Sequence, residues 1–198
     1  GFDGLDINMG CPSKSVAASG SGAALIKTPD LAHAIVRAAR QGLEDWAAGQ
    51  SIHSQGFKPS RIEFIHTLNH SRCGVPVAPR RLLPLSIKTR LGFDCVVVER
   101  WVEHLLELCP AAITLHGRTL QQMYRGAADW SAIAEAATLA RGTGTLMLGN
   151  GDLNTLVDAM RRVAESNVQG VLVGRGTLGS PWFFREKEQA RRAFSERR

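Results

Sequence analysis

No stretch of about 18 apolar residues occurs in this 198-residue chain, so no membrane-spanning helix is expected. The opening Gly1-Phe2-Asp3-Gly4 lacks a basic n-region and an apolar h-region, which excludes a secretory signal there. It also lacks an initiator Met, so the gene product is expected to start upstream. The four cysteines, at 11, 73, 95 and 109, form no Cys-x-x-Cys pair. That argues against a disulfide scaffold or zinc ribbon and for a reducing cytosol. Compositional bias is missing too: 44% hydrophobic and 21% charged residues exclude a disordered or collagenous chain. A strong charge of one sign is absent. Twenty-four Lys and Arg against 18 Asp and Glu give +6, which permits a polyanionic partner without demanding one.

What is present is an alternation of short apolar runs with helical patterns. Strands are expected at 4–8, 85–88, 111–115, 146–148 and 170–173, with helices from Pro29 and at 96–108, 130–140 and 153–165. Thr28 is the expected N-cap of the first of these helices, Pro29 its first residue, and Leu31, Ile35, Ala38 and Ala39 its apolar face. The strands are too short and apolar for a half-wet sheet, so they read as buried parallel strands covered by helices. A polar or Gly-rich cluster follows every strand. A doubly wound α/β sheet concentrates its ligands at one switch point, whereas a (β/α)8 barrel loads the whole C-terminal rim. The pattern therefore predicts an α/β fold of the partial TIM-barrel kind, with about five βα units. The stretch 43–84 breaks the repeat: αβ connections usually take about 2–6 residues. Rich in Ser, Gly, Pro, His and Arg, it reads as a partly mobile insertion at the bottom of the barrel, with a short helix or strand at 62–69.

Chemistry-bearing residues cluster after the strands. Cys11 stands in a turn between Gly10 and Pro12, where a thiol serves as nucleophile or proton donor; the competing reading is a small buried hydrophobe. Lys88 and Arg90 fall on one side of their strand, Lys88 inside the mouth. There Lys88 calls for an anionic or electron-rich partner such as a flavin ring, unless it is a solvated rim charge. His116 is a donor to a ring or phosphate, or a packing histidine. Arg118, Gln122 and Tyr124 share one loop and suit a polar planar group. Gly149-Asn150-Gly151 and Gly174-Arg175-Gly176 fit a phosphate approached by main-chain N–H groups. His66, His70 and Cys73 would share a helix face as metal ligands, but Asn69, Ser71 and Gly74 favour a solvated loop, and no metal is expected.

Taken in order, Asp6-Ile7-Asn8-Met9-Gly10-Cys11-Pro12, Lys88-Thr89-Arg90-Leu91-Gly92, Leu115-His116-Gly117-Arg118-Thr119 with Gln122, Tyr124, Gly126 and Asp129-Trp130, Gly149-Asn150-Gly151-Asp152, and Gly174-Arg175-Gly176 with Pro181-Trp182 closely resemble the tRNA-dihydrouridine synthases. The likeness runs from Gly1 to about Phe184 outside 43–84. It implies an FMN-dependent (β/α)8 barrel that uses NADPH to reduce a tRNA uridine. Cys11 would be the general acid. Lys88 and His116 would contact the flavin, and Asn150, Gly151, Gly174 and Arg175 would hold its phosphate. Asn8 would hold the uracil or flavin edge, and Arg118, Gln122 and Tyr124 would bind the substrate with it. The base must leave its stack to react, which gives the positive charge a use. The family's early strands and its helical tRNA-binding domain have no counterpart here, so the chain reads as strands four to eight. Residues 1–184 form the partial barrel and 185–198 a basic helix opening a truncated extension, and weak FMN binding is expected of the isolated chain. The resemblance implies tRNA as partner, a cytoplasmic setting, no membrane and no stable protein partner. Two alternatives stand beside it: a flavin-dependent reductase of free pyrimidines or other small molecules, and an inactive RNA-binding fragment.

Overall fold

A computed structural model of the chain describes residues 2–71, 80–180 and 183–186. Five strands, β1 (Leu5–Asn8), β2 (Leu85–Arg90), β3 (Ala112–His116), β4 (Leu146–Asn150) and β5 (Gly170–Leu172), form one sheet in the order β1-β2-β3-β4-β5. Every pairing is parallel. The order has no reversal, so the sheet lacks the switch point at which a doubly wound fold binds ligands. The helices are α1 (Lys14–Ala18), α2 (Pro29–Ala47), α3 (Pro59–Ser71), α4 (Val98–Leu106), α5 (Trp130–Leu139) and α6 (Leu156–Ser166). Among them α2, α4, α5 and α6 lie side by side in that order, each packed on the next.

Apolar periodicity explains the layering. In α4, Val98, Trp101, Val102 and Leu105 are the buried residues, at i, i+3, i+4 and i+7. They meet Ile87, Ile113, Leu115 and Met147 of the sheet in one core. Helix starts are locally encoded. Asp129 accepts from the N–H groups of Ser131 and Ala132 at 3.0 Å, and Thr155 Oγ1 accepts from Asp158 N at 3.0 Å. Asn167 ends α6 in the left-handed conformation, φ 56°. The α2–α4 contact is polar: the His33 ring meets the His104 carbonyl at 2.6 Å, and Arg40 donates to the Leu108 carbonyl, satisfying acceptors near the C-terminal end of α4.

The structure departs from the sequence expectations in four respects. Thr28 precedes α2, with Pro29 in the first turn, but its side chain makes no capping bond. Of the expected face of α2, Ile35 and Ala39 pack against the core, but Leu31 stays 48% exposed and Ala38 is exposed. The buried side is completed by Ala32, His33 and Val36, so the face is shifted from the expected one. The strands are not uniformly buried. Those of β2 and β3 are largely so, but in β1 Leu5, Asp6 and Asn8 are exposed, because this edge strand has a neighbour on one side only. The segment 43–84 is also more regular than its composition suggests, since α2 continues to Ala47 and α3 is a thirteen-residue helix. Pro181, Trp182, Cys73 and nearly all of the basic segment 185–198 lie outside the described residues. No helix among those described is long and apolar enough to cross a membrane.

Candidate functional site

Parallel register sets one row of side chains across the C-terminal ends of the strands. Arg90 pairs with His116, His116 with Asn150, and Asn150 with Leu172. Two residues earlier on β2, Lys88 pairs with Asn8. Side chains two apart on a strand share a face, so Lys88 joins this row. All six line one cavity of about 340 Å³, together with Cys11, Tyr124, Gly151, Asp152, Gly174 and Arg175. That size lies at the small end of small-molecule sites, about 300–1,000 Å³.

Hydrogen bonds tie the row to the loops above it. Lys88 Nζ donates to Asn150 Oδ1 at 3.2 Å, and Asn150 Nδ2 donates to the Leu172 carbonyl at 2.8 Å. Asn150 thus aims the ammonium and joins β4 to β5. Arg90 is 3% exposed; its Nε donates to the Gly10 carbonyl at 2.8 Å and its Nη1 to the Thr119 carbonyl at 3.0 Å. This guanidinium therefore links the Cys11 loop to the loop after β3. The Cys11 thiol is free and half-buried. Its carbonyl accepts from Ala23 N at 3.2 Å, and a Cβ on Gly22, where φ is 60°, would come within 2.9 Å of that carbonyl. Only glycine satisfies both demands.

Asp152 is the hub on the other side. One carboxylate oxygen accepts from Arg118 Nη2 at 2.6 Å and Ala128 N at 2.8 Å, the other from Arg175 Nη2 at 3.2 Å. The Arg175 guanidinium also lies 4.9 Å from the centre of the Tyr124 ring. Gly151, φ 134°, and Asp152, φ 50°, form a sharp turn here. A Cβ on Gly151 would stand 2.6 Å from that of Ala128.

The cavity is cationic, and its ionisation follows. Burial, then the nearby Arg90, pulls the Lys88 pKa below its usual value, with Asp6 opposing. Burial, then the charges of Arg90, Lys88 and Arg118, brings His116 down to about 3. At neutral pH His116 is therefore an uncharged imidazole. Arg118 Nη1 sits 3.5 Å from His116 Nε2, and a guanidinium only donates, so Nε2 carries the lone pair and Nδ1 the proton. Burial works against the Asp152 carboxylate, but hydrogen bonds from Arg118 and Ala128 and the charges of Arg118 and Arg175 hold its pKa below the ordinary range.

The His116 shift carries a stability prediction. Unfolded His116 takes up a proton below about pH 6.5, while the folded form resists until about 3. Its contribution is complete above 6.5 and declines as pH falls through that window, because the unfolded state then binds more protons. Urea unfolding at pH 4 and pH 7 is expected to show a smaller loss on acidification in His116→Gln than in the parent. Equal losses would count against a neutral buried imidazole.

Of the candidates from sequence, Asn8, Cys11, Lys88, His116, Tyr124, Asn150, Gly151, Gly174 and Arg175 line the cavity. Arg118 and Gln122 do not. Arg118 is 2% exposed and turned inward, donating to the carbonyls of Arg125 and Gly126 as well as to Asp152. Gln122 Oε1 accepts from Thr119 N at 2.7 Å and braces its own loop. Three contributors went unassigned: Arg90, Gly22 and Asp152. The available signal for Asp152 was its position, an acid directly after Gly149-Asn150-Gly151 on a cationic rim. His66 and His70 lie on α3, a helix rather than a loop.

A family model for dihydrouridine synthase matches residues 1–46 and 76–198 and passes over the stretch between. A probable tRNA-dihydrouridine synthase of Rhodobacter capsulatus is 31% identical over 186 residues, covering 92% of this chain and 44% of that protein. Probable tRNA-dihydrouridine synthase 2 of Bacillus subtilis is 31% identical over 191 residues, covering 95% of this chain and 46% of the relative. A probable tRNA-dihydrouridine synthase of Staphylococcus epidermidis is 29% identical over the same length. The chain spans less than half the length of these relatives.

Proposed function

The chain belongs to the dihydrouridine synthase family, and from that premise we propose that it is the flavin-site portion of a TIM-barrel enzyme that reduces uridine to 5,6-dihydrouridine in tRNA. The observation that carries the reading is the meeting of Cys11, Lys88, His116, Asn150, Gly174 and Arg175 in one cavity, from loops and strands spread over the whole chain.

The cavity suits FMN by its donors and its shape. Lys88 and Arg175 supply positive charge and Asn150 an amide. A Cβ on Gly174 would meet nothing within 4 Å, so the main chain there faces open space that a phosphate can occupy. Lys88 and His116 would hold the isoalloxazine, and Asn150, Gly151, Gly174 and Arg175 the phosphate. When bound, FMN would supply the hydride chemistry that reduces the uracil ring, with NADPH as the reductant. The protein's part is a proton. Cys11 Sγ–H gives it to C5, and the thiolate regains one from water. Asn8, at the end of β1, and Tyr124, on the loop after β3, line the same cavity and would hold the base. Arg118 is reassigned from substrate contact to positioning: its bonds to Asp152, Arg125 and Gly126 shape the loop that presents Tyr124. The setting for such chemistry is the cytoplasm, where tRNA is modified.

The test is reduction of an unmodified tRNA transcript by the full-length protein with NADPH, read as a gain of two mass units on uridine. Reduction of free uracil with tRNA untouched would favour a small-molecule reductase. Purified protein without flavin that still binds tRNA would favour the RNA-binding alternative. Gly174→Ala offers a local check. The added methyl meets no protein atom, so FMN affinity is expected to fall about tenfold through crowding of the bound anion, with the folded state checked by its thermal midpoint. Unchanged FMN affinity would move the phosphate elsewhere.

A further inference from the structure

The stretch that the family model passes over, together with the few residues that follow it to Arg80, is neither bare nor neutral. Between 47 and 80 the sequence has Lys58, Arg61, Arg72 and Arg80 against Glu63 alone, and three of the chain's six histidines. This short segment thus carries +3 of the chain's net +6. With the end of α2 it encloses a groove of about 680 Å³, larger than the cavity on the rim. Aromatic and cationic groups line it. The Arg80 guanidinium lies 6.0 Å from the centre of the Trp46 ring and donates to the carbonyls of Trp46 and Gln50. His53 and His66 stack with centroids 5.6 Å apart. Trp46 is 41% exposed and Phe57 44%. The one carboxylate in the lining, Asp45, is occupied by the side-chain amides of Gln41 and Gln50. Lys58 and Arg61 are exposed at the start of α3, and Arg61 stands one turn before Ile65, which lines the groove.

We infer that this groove is a second RNA-docking surface, which holds the phosphate backbone and an unstacked base of the tRNA away from the reacting uridine. Cationic side chains neutralise phosphates, and exposed aromatic faces stack bases without reading sequence. Position supports a long ligand. The groove is built on the far end of α2, and nineteen residues of helix span about 28 Å. It therefore sits at the opposite end of the sheet from Cys11, where only a partner of nucleic-acid dimensions would engage both.

The inference rests on tRNA being the substrate, and the test separates the two claims. In the full-length protein, Lys58→Glu/Arg61→Glu is expected to raise the KM for tRNA about tenfold, with kcat and bound flavin unchanged. The slope of log affinity against log salt is expected to fall by about two. Trp46→Leu, which removes a stacking face without changing charge, is expected to raise KM about tenfold while leaving that slope unaltered. If the parent reduces tRNA and both variants keep its KM and salt slope, the groove is not an RNA surface. If the parent neither binds nor reduces tRNA, both claims fall. Binding of the groove to anionic lipid vesicles, with tRNA kinetics indifferent to the substitutions, would likewise overturn it.

Discussion

Replacing Cys11 with Ala in the full-length enzyme is expected to slow uridine reduction about 10²- to 10⁴-fold, the contribution of a positioned proton donor. Flavin content and tRNA affinity should hold. The expectation follows from how firmly the loop is built. Ala23 binds the Cys11 carbonyl, Gly22 leaves room for it, and buried Arg90 grips Gly10 next door. None of these bonds uses the thiol, so removing the sulfur leaves its frame intact. Cys11→Ser keeps the shape but offers a hydroxyl, a far weaker acid, and should recover little of the rate. Single-turnover reduction of tRNA is the measurement. A loss under about fivefold for the Ala variant would take Cys11 out of the proton step.

The second large effect is expected at Asp152, and it is one of stability. Arg118 is 2% exposed on its side chain and takes its only carboxylate partner among the described residues from Asp152. Breaking a pair with one charge buried costs about 3–5 kcal/mol. The Asp152 side chain is 34% exposed, so solvent screens part of this. Asp152→Ala is therefore expected to cost about 3 kcal/mol, a fall of roughly 6–12 °C in thermal midpoint. Asp152→Asn keeps an acceptor for Ala128 N and Arg118 and should lose about half as much. The same carboxylate holds Arg175 at the cavity, so both variants should also weaken FMN binding. A midpoint within about 2 °C of the parent for the Ala variant would show that Arg118 finds its compensation in the carbonyls alone.

How much of this was legible in advance differs from residue to residue. The strands and the helices after them were readable because apolar spacing reports local burial, and Pro29 marks a helix start because its fixed φ and missing N–H suit the first turn. The rim positions of Cys11, Lys88, His116 and Asn150 were readable because each closes or follows a strand run. The orientation of α2 was not, since which stripe faces α4 depends on where His33 and Arg40 find carbonyls some seventy residues away. Arg118 shows the same limit. It stands two residues from His116, and nothing local distinguishes a guanidinium aimed at substrate from one turned inward to Asp152, 34 residues on. Within the insertion α3 was legible only as a short helix or strand at 62–69, because a helix with Ser, His and Asn scattered around it has no clean apolar stripe to fix its type and length.

By itself the sequence determined the parallel βα order, the chemical identity of the groups on the rim and the membership of the chain in its family. These follow from local spacing and from short motifs, whose physics acts over one turn of helix or one strand. Only the tertiary structure decided which of those groups share a cavity, that His116 stays uncharged among three cations, and that Asp152 rather than a ligand holds Arg118. Register and burial set these outcomes, and both depend on partners that the chain brings together only when the sheet has formed.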